Sequence, residues 1–139
     1  MDINEQLKEK MGINTNKVNT FISKLFSAYV QTHIFHLQGK GKGSLAIHLA
    51  LNTLYNELPS FIDKVVEAYQ GKYGIILNYS VEKPNNFIDK GQVIDYIKVL
   101  HTYIDNNREV LFKDSDILNT IDEIKSTIKQ TLYKLENLE

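Results

Sequence analysis

Four side chains in this 139-residue chain combine residue types and spacing suited to holding a metal. His36 is followed after eleven residues by His48, after fourteen more by Asp63, and after three more by Glu67. Imidazole nitrogens and carboxylate oxygens are the ligand set for Fe(II), Mn(II) or Zn(II), and a chain without cysteine offers no thiolate in their place. Each helical residue advances the chain by about 100°, so His48 to Asp63 is a net rotation of about 60° and Asp63 to Glu67 adds about 40°. One helix over residues 45–70 would put these three on one stripe. His48 interrupts an apolar run, Leu45, Ala46, Ile47, Leu49, Ala50 and Leu51, and the two acids lie among Phe61, Ile62, Val65, Val66, Ala68 and Tyr69. A single histidine on such a face is more often a hydrogen-bonded core residue, and i,i+4 acids are commonplace on solvated faces. Two carboxylates close together in a partly apolar setting repel when both are ionised, and a bound cation relieves that repulsion.

The elements that must position these residues are helical. Val18, Ile22, Leu25, Tyr29 and His33/His36 fall on one face, extended by Phe21 and Phe26, which predicts a first helix from about residue 5 or 14 to 38. The run Gly39-Lys40-Gly41-Lys42-Gly43-Ser44 breaks it, and Ser44 is the expected N-cap of a second helix ending at Gln70 before Gly71. Residues 72–87 read as irregular, with Pro84-Asn85-Asn86 marking a turn. A third helix is expected over about 88–106, with Val93, Ile97, Leu100 and Ile104 inward and Asn106-Asn107 ending it. The fourth has the clearest seam, Ile121, Ile124, Ile128, Thr131, Leu135 and Leu138, with Asp114 or Ser115 at its start. The expected fold is all-α: a single domain, residues 1–139, built as a four-helix bundle with an irregular connection between helices 2 and 3.

Composition narrows the function classes. A net charge of −1 lacks the basic excess of a protein that grips nucleic acid over its surface, so specific nucleic-acid binding is not expected. The decapeptide Met1 to Lys10 mixes Asp2, Glu5 and Glu9 with Lys8 and Lys10, so it reads neither as a DNA-grasping arm nor as a signal peptide. No apolar run approaches the ~18 residues that span a bilayer, and no membrane partner is expected. The absence of cysteine fits a reducing, cytoplasmic compartment.

The stretch His36-Leu-Gln-Gly-Lys-Gly-Lys-Gly-Ser-Leu-Ala-Ile-His48, with Leu54-Tyr-Asn-Glu-Leu-Pro-Ser-Phe-Ile-Asp-Lys-Val-Val-Glu67, resembles the Dps-like mini-ferritins of the ferritin-like superfamily. The resemblance covers about residues 18–70, and the spacing of the four candidate ligands agrees with that family without a gap. It implies a ferritin-like bundle and a homo-oligomer in which the two histidines of one subunit face the Asp and Glu of a two-fold neighbour. By position, His36 and His48 would meet Asp63 and Glu67 of another copy, with Fe(II)/Fe(III) as the metal and Mn or Zn as alternatives. The implied activity is ferroxidase-like: Fe(II) oxidised pairwise by peroxide, without release of one-electron radicals. Glu67-Ala-Tyr-Gln70 lacks the Glu-x-x-His pair of classical ferritins and rubrerythrins.

Two departures favour a rival. Leu37 stands where Dps-like proteins usually have Trp, and Leu49-Ala-Leu-Asn-Thr53 carries none of the acids on which mineral nucleates. The alternative is a structural or assembly protein, for example a virion component, that keeps the bundle with a vestigial or purely structural metal site. The start of helix 2, apolar nearly all round, points to contact with another chain under either reading. Among lesser signals, His33 is a possible additional ligand one turn before His36, although a plain helix-face residue is the commoner role. His101 reads as a core-edge residue, and Tyr29, Tyr55 and Tyr69 as core or interface aromatics. The Gly39–Ser44 loop lacks the order of a phosphate-binding loop.

Overall fold

The computed structural model describes residues 15–139, with side chains from residue 17; the readings of Met1 to Lys10 and of a helix start near residue 5 lie outside it. Four helices fill the described chain: α1 (Thr15–Gln38), α2 (Ser44–Tyr73), α3 (Lys90–Leu111) and α4 (Ser115–Asn137). No strand occurs among the described residues. The expected all-α four-helix bundle with an irregular 2–3 connection is what forms.

Side-chain contacts fix the topology. α1 packs on α2 and α3, and α4 closes the bundle against the same two helices. Phe35 meets Tyr96 while Phe21 meets Tyr103, so α3 runs antiparallel to α1. Lys98 pairs with Glu136 and Arg108 with Asp122, so α4 runs antiparallel to α3. Val18, Ile22, Leu25, Leu51, Leu54, Leu58, Ile97, Ile104, Ile121, Ile124 and Ile128 are all fully buried, which is the sum of the apolar stripes legible in the sequence.

Residues 74–89 return along α1 from its start to its end, in an extended path held by α1's own polar side chains. Ser23 Oγ accepts the Ser80 N–H (2.9 Å), Ser27 Oγ the Glu82 N–H (2.9 Å), Gln31 Oε1 the Asn85 N–H (2.7 Å) and Gln38 Oε1 the Phe87 N–H (2.8 Å). Gln31 Nε2 also donates to the Asn85 carbonyl (2.9 Å), and Lys24 pairs with Glu82. Backbone amides that have no helix or sheet ladder must find partners elsewhere. Here a row of Ser and Gln, spaced four, four and seven residues apart, supplies them. This crossover makes α2 and α3 parallel, which two helices joined by a short loop cannot be.

Several expected boundaries move, each for a tertiary reason. Ser44 is the first helical residue and does not cap; the cap is Gly43 at φ 83°, a left-handed conformation, where a Cβ would also meet the Lys90 chain at 3.1 Å. Helix α2 passes through Gly71 to Tyr73, because Tyr73 packs on Tyr69 and donates to Asp114 (2.6 Å); Gly74, at φ 96°, then ends it. Pro59 is accommodated inside α2 on its exposed side, where water can reach the carbonyl it leaves free. Asn106-Asn107 does not stop α3, which runs on to Leu111. Asn107 Nδ2 turns back to the Tyr103 carbonyl (2.8 Å), Arg108 grips Asp122 with both ends of its fork (2.7 and 2.8 Å), and Leu111 is buried. Asp89 caps the start of α3 by accepting the Gln92 N–H (2.9 Å). Asp114 sits at the start of α4, but its carboxylate serves Lys72 and Tyr73 instead of capping. Leu138, expected in the α4 seam, lies beyond the helix and is exposed.

Candidate metal centre

The end of α1 and the start of α2 bring three histidines and two tyrosines together. The His36 and His48 rings stack with centroids 4.0 Å apart, and the His33 ring stacks on Tyr55 at 4.3 Å. Tyr55 also lies 4.8 Å from His36, and Tyr29 6.1 Å from His33. The loop 39–43 creates this cluster. Gly39 donates to the Phe35 carbonyl (2.9 Å), and left-handed Gly41 and Gly43 then turn the chain so that α2 starts beside the last turn of α1.

His36 is oriented by the backbone. Its Nδ1 lies 3.1 Å from the His48 carbonyl oxygen, which can only accept, so Nδ1 carries the proton and Nε2 presents a lone pair. A metal-binding histidine is commonly held this way, its other nitrogen donating to a carbonyl. Burial pushes the His36 pKa below its ordinary value, the nearby His48 and His33 rings push in the same direction, and the carbonyl bond opposes them. The imidazole is therefore neutral at pH 7, the form that can bind a cation. His36 is buried, His33 half-buried and His48 exposed.

The acids are elsewhere. Asp63 and Glu67 are exposed on the outer stripe of α2, fifteen and nineteen residues beyond His48, or about 22 and 28 Å along the helix. The shared stripe is present, but the partly apolar surroundings expected for the acids are not; solvent screens their repulsion. Among the described residues no group of three or more His, Asp or Glu is arranged to hold a metal ion. A single copy thus brings His36 and His48 together, keeps Asp63 with Glu67, and leaves the two pairs far apart. His33 spends its ring face on Tyr55. Of the three tyrosines, Tyr69 is a core residue, and Tyr29 and Tyr55 wall the histidine cluster. The role of Tyr55 between His33 and His36 was not legible from spacing, because it depends on how α1 and α2 face each other.

His101, at the α3–α4 seam, has its Nε2 buried without a hydrogen-bond partner. Burial lowers its pKa, Lys129 and Lys125 lower it further, and Asp105 opposes. A histidine whose folded pKa lies below its unfolded value of about 6.5 binds fewer protons when folded. Its contribution is complete above pH 6.5 and is lost as the pH falls below that value, and His36 adds to the same slope. We expect the urea midpoint to fall between pH 7.5 and 5.5, and to fall less in His101→Gln. An equal drop in both proteins would remove His101 from this account.

No described helix is long and apolar enough to cross a membrane. The chain is 28% identical, over 122 residues, to an uncharacterized 14.6 kDa protein from the mobD-ri intergenic region of Enterobacteria phage T4; the match covers 86% of this chain and 88% of the phage protein. No solved structure matches it. A family model matches residues 36–135, a span that begins at His36 and contains all four candidate ligands, so the chain belongs to a protein family of unknown function, DUF5856.

Proposed function

We propose that the protein is a ferritin-like bundle that takes up Fe(II) at a site made of His36 and His48 from one copy and Asp63 and Glu67 from another, and that supports oxidation of the iron. The observation that carries this reading is the His36–His48 pair, with His36 fixed through Nδ1 so that Nε2 is available. The long crossover along α1 supports the ferritin-like assignment, since bundles of that kind use one such connection. In the reaction two Fe(II) would each lose one electron, and hydrogen peroxide would take both electrons together with two protons from solvent, yielding two Fe(III) and two waters. The role of the protein is to hold two metal ions together and neutralise their charge with the carboxylates. Iron is substrate here; the His/carboxylate set also suits Mn or Zn.

A second reading, a structural component of a larger assembly such as a virus particle, draws on the exposed Leu37, Leu45 and Leu49 beside the histidines. The phage origin of the relative fits it as well. Anaerobic Fe(II) titration followed by peroxide separates the two readings. Wild type is expected to develop ferric absorbance, and His48→Ala to do so at least about tenfold more slowly, the scale on which metal sites respond to lost ligand support. Identical traces would sink the iron reading and leave the assembly reading standing.

A further inference from the structure

The first half of the crossover has one edge bonded and one edge bare. In an extended backbone successive N–H groups point to opposite edges. The amides of Ile76, Ser80 and Glu82 turn inward, to Gln70 Oε1, Ser23 Oγ and Ser27 Oγ, each at 2.9 Å. Ser23 and Ser27 stand about 6 Å apart along α1, close to the rise of two extended residues, about 6.6 Å. The backbones of Leu77, Tyr79 and Val81 therefore face the other way. Among the described residues neither their N–H nor their C=O groups have a hydrogen-bond partner.

The side chains repeat the alternation. Ile76 is buried, whereas Ile75, Leu77, Tyr79 and Val81 are 70%, 83%, 43% and 52% exposed. Residues 75–81 read Ile-Ile-Leu-Asn-Tyr-Ser-Val, a strand-forming run with no charge, proline or glycine. Proteins usually guard an exposed edge with charges or proline, and here none occurs before Glu82, Lys83 and Pro84.

We propose that this edge binds an extended segment of another protein by β-strand addition, with the incoming strand antiparallel to residues 77–83 and apolar at every second position. Donors and acceptors that recur every two residues are matched by another polypeptide backbone, and apolar side chains of the partner then meet Leu77, Tyr79 and Val81 on one face. Antiparallel pairing is the more stable sense per residue. Charge fixes the register. Glu82 is committed to Lys24, while Lys83 is exposed and has no ion-pair partner among the described residues. An acidic residue of the partner opposite Lys83 completes the match. The bonds from Gln70, Ser23 and Ser27 hold this strand in place beforehand, so only the partner loses freedom on binding. The proposal is independent of the metal reading, since His36 lies nine residues beyond Ser27, about 14 Å along α1.

The probe is the acetylated and amidated peptide Glu-Thr-Val-Thr-Val-Thr-Val. In the antiparallel register its Glu stands opposite Lys83 and its valines opposite Val81, Tyr79 and Leu77. With the peptide at about 1 mM, amide exchange at Leu77, Tyr79 and Val81 of the full chain is expected to slow at least about tenfold, with Ser80 and Glu82 unchanged. N-methylation of the valines, whose N–H groups face the protein, is expected to abolish this protection, and N-methylation of the outward threonines to preserve it. Val81→Pro deletes one bare donor without breaking an internal bond, and is expected to weaken binding at least about fivefold. An unchanged circular dichroism spectrum and retained protection of Ser80 and Glu82 show that this variant is folded. Leu77→Lys, which alters only an exposed side chain, is expected to weaken binding at least about threefold. No binding at about 1 mM, binding indifferent to the N-methyl pattern, or binding that leaves the three amides unprotected would overturn the proposal. So would slow exchange of these amides in the protein alone, because the edge would already be filled: by a second copy if protection rises with concentration, by this chain if it does not.

Discussion

Phe21→Ala is expected to lower the unfolding free energy by about 3–5 kcal/mol, read from urea denaturation at pH 7.5 with little change in slope. Phe21 is fully buried where three elements meet. Its ring stacks on Tyr103 of α3 (5.9 Å) and receives the edge of Phe112, just past the end of α3, at 5.2 Å. Phe112 in turn lies 6.4 Å from Tyr69 of α2, so this aromatic chain ties α1 to both of its neighbours. Alanine would remove the ring and leave a cavity that aromatic neighbours cannot easily fill, because their own geometry is fixed by further packing. A loss of this size is a large share of the ~5–15 kcal/mol typical of a domain. Phe21→Leu, which keeps most of the volume, is expected to lose much less. A Phe21→Ala protein within about 1 kcal/mol of wild type would mean that the junction collapses onto the gap and is not the rigid joint described.

The second large effect is expected at Gln31, and it is local. Gln31→Leu keeps the approximate size of a buried side chain but deletes both bonds to Asn85, leaving that residue's N–H and C=O without their partner. Orphaned backbone groups cost about 1–3 kcal/mol when buried. Asn85 is itself exposed, so water can reach part of what is lost and the lower half of that range applies. The informative readout is amide hydrogen exchange. The amides of Ser80, Glu82, Asn85 and Phe87 should exchange faster, because they share one row of acceptors on α1, while those of α2 and α4 stay protected. Uniform acceleration across all four helices would show that the crossover is not a separately anchored unit.

Much of the architecture follows from the order of residues alone. The apolar stripes of α2 and α4 have one repeat and one sensible use, burial against other helices, so their existence and approximate extent could be read directly. Boundaries were less legible wherever a local signal competed with a tertiary contact. Gly71 looks like a helix end, yet burial of Tyr73 carries α2 past it. Asn106-Asn107 looks like a stop, yet the Arg108–Asp122 fork and buried Leu111 extend α3 beyond it. The path of residues 74–89 left almost no local trace. Its code is Ser23, Ser27 and Gln31, three polar side chains on one stripe of α1, whose meaning appears only when the returning chain is laid beside them.

The candidate site divides in the same way. Sequence determined the ligand types, their intervals and the common stripe of His48, Asp63 and Glu67, because a helix converts spacing into angle. Only the tertiary structure decided that His36 lies against His48, since that depends on the turn made at Gly41 and Gly43. It also fixed the proton on His36 Nδ1 through a carbonyl twelve residues away. And it decided that the acids stand on the far half of α2: a helix keeps residues fifteen apart some 22 Å from each other along its axis, so one copy cannot close the set.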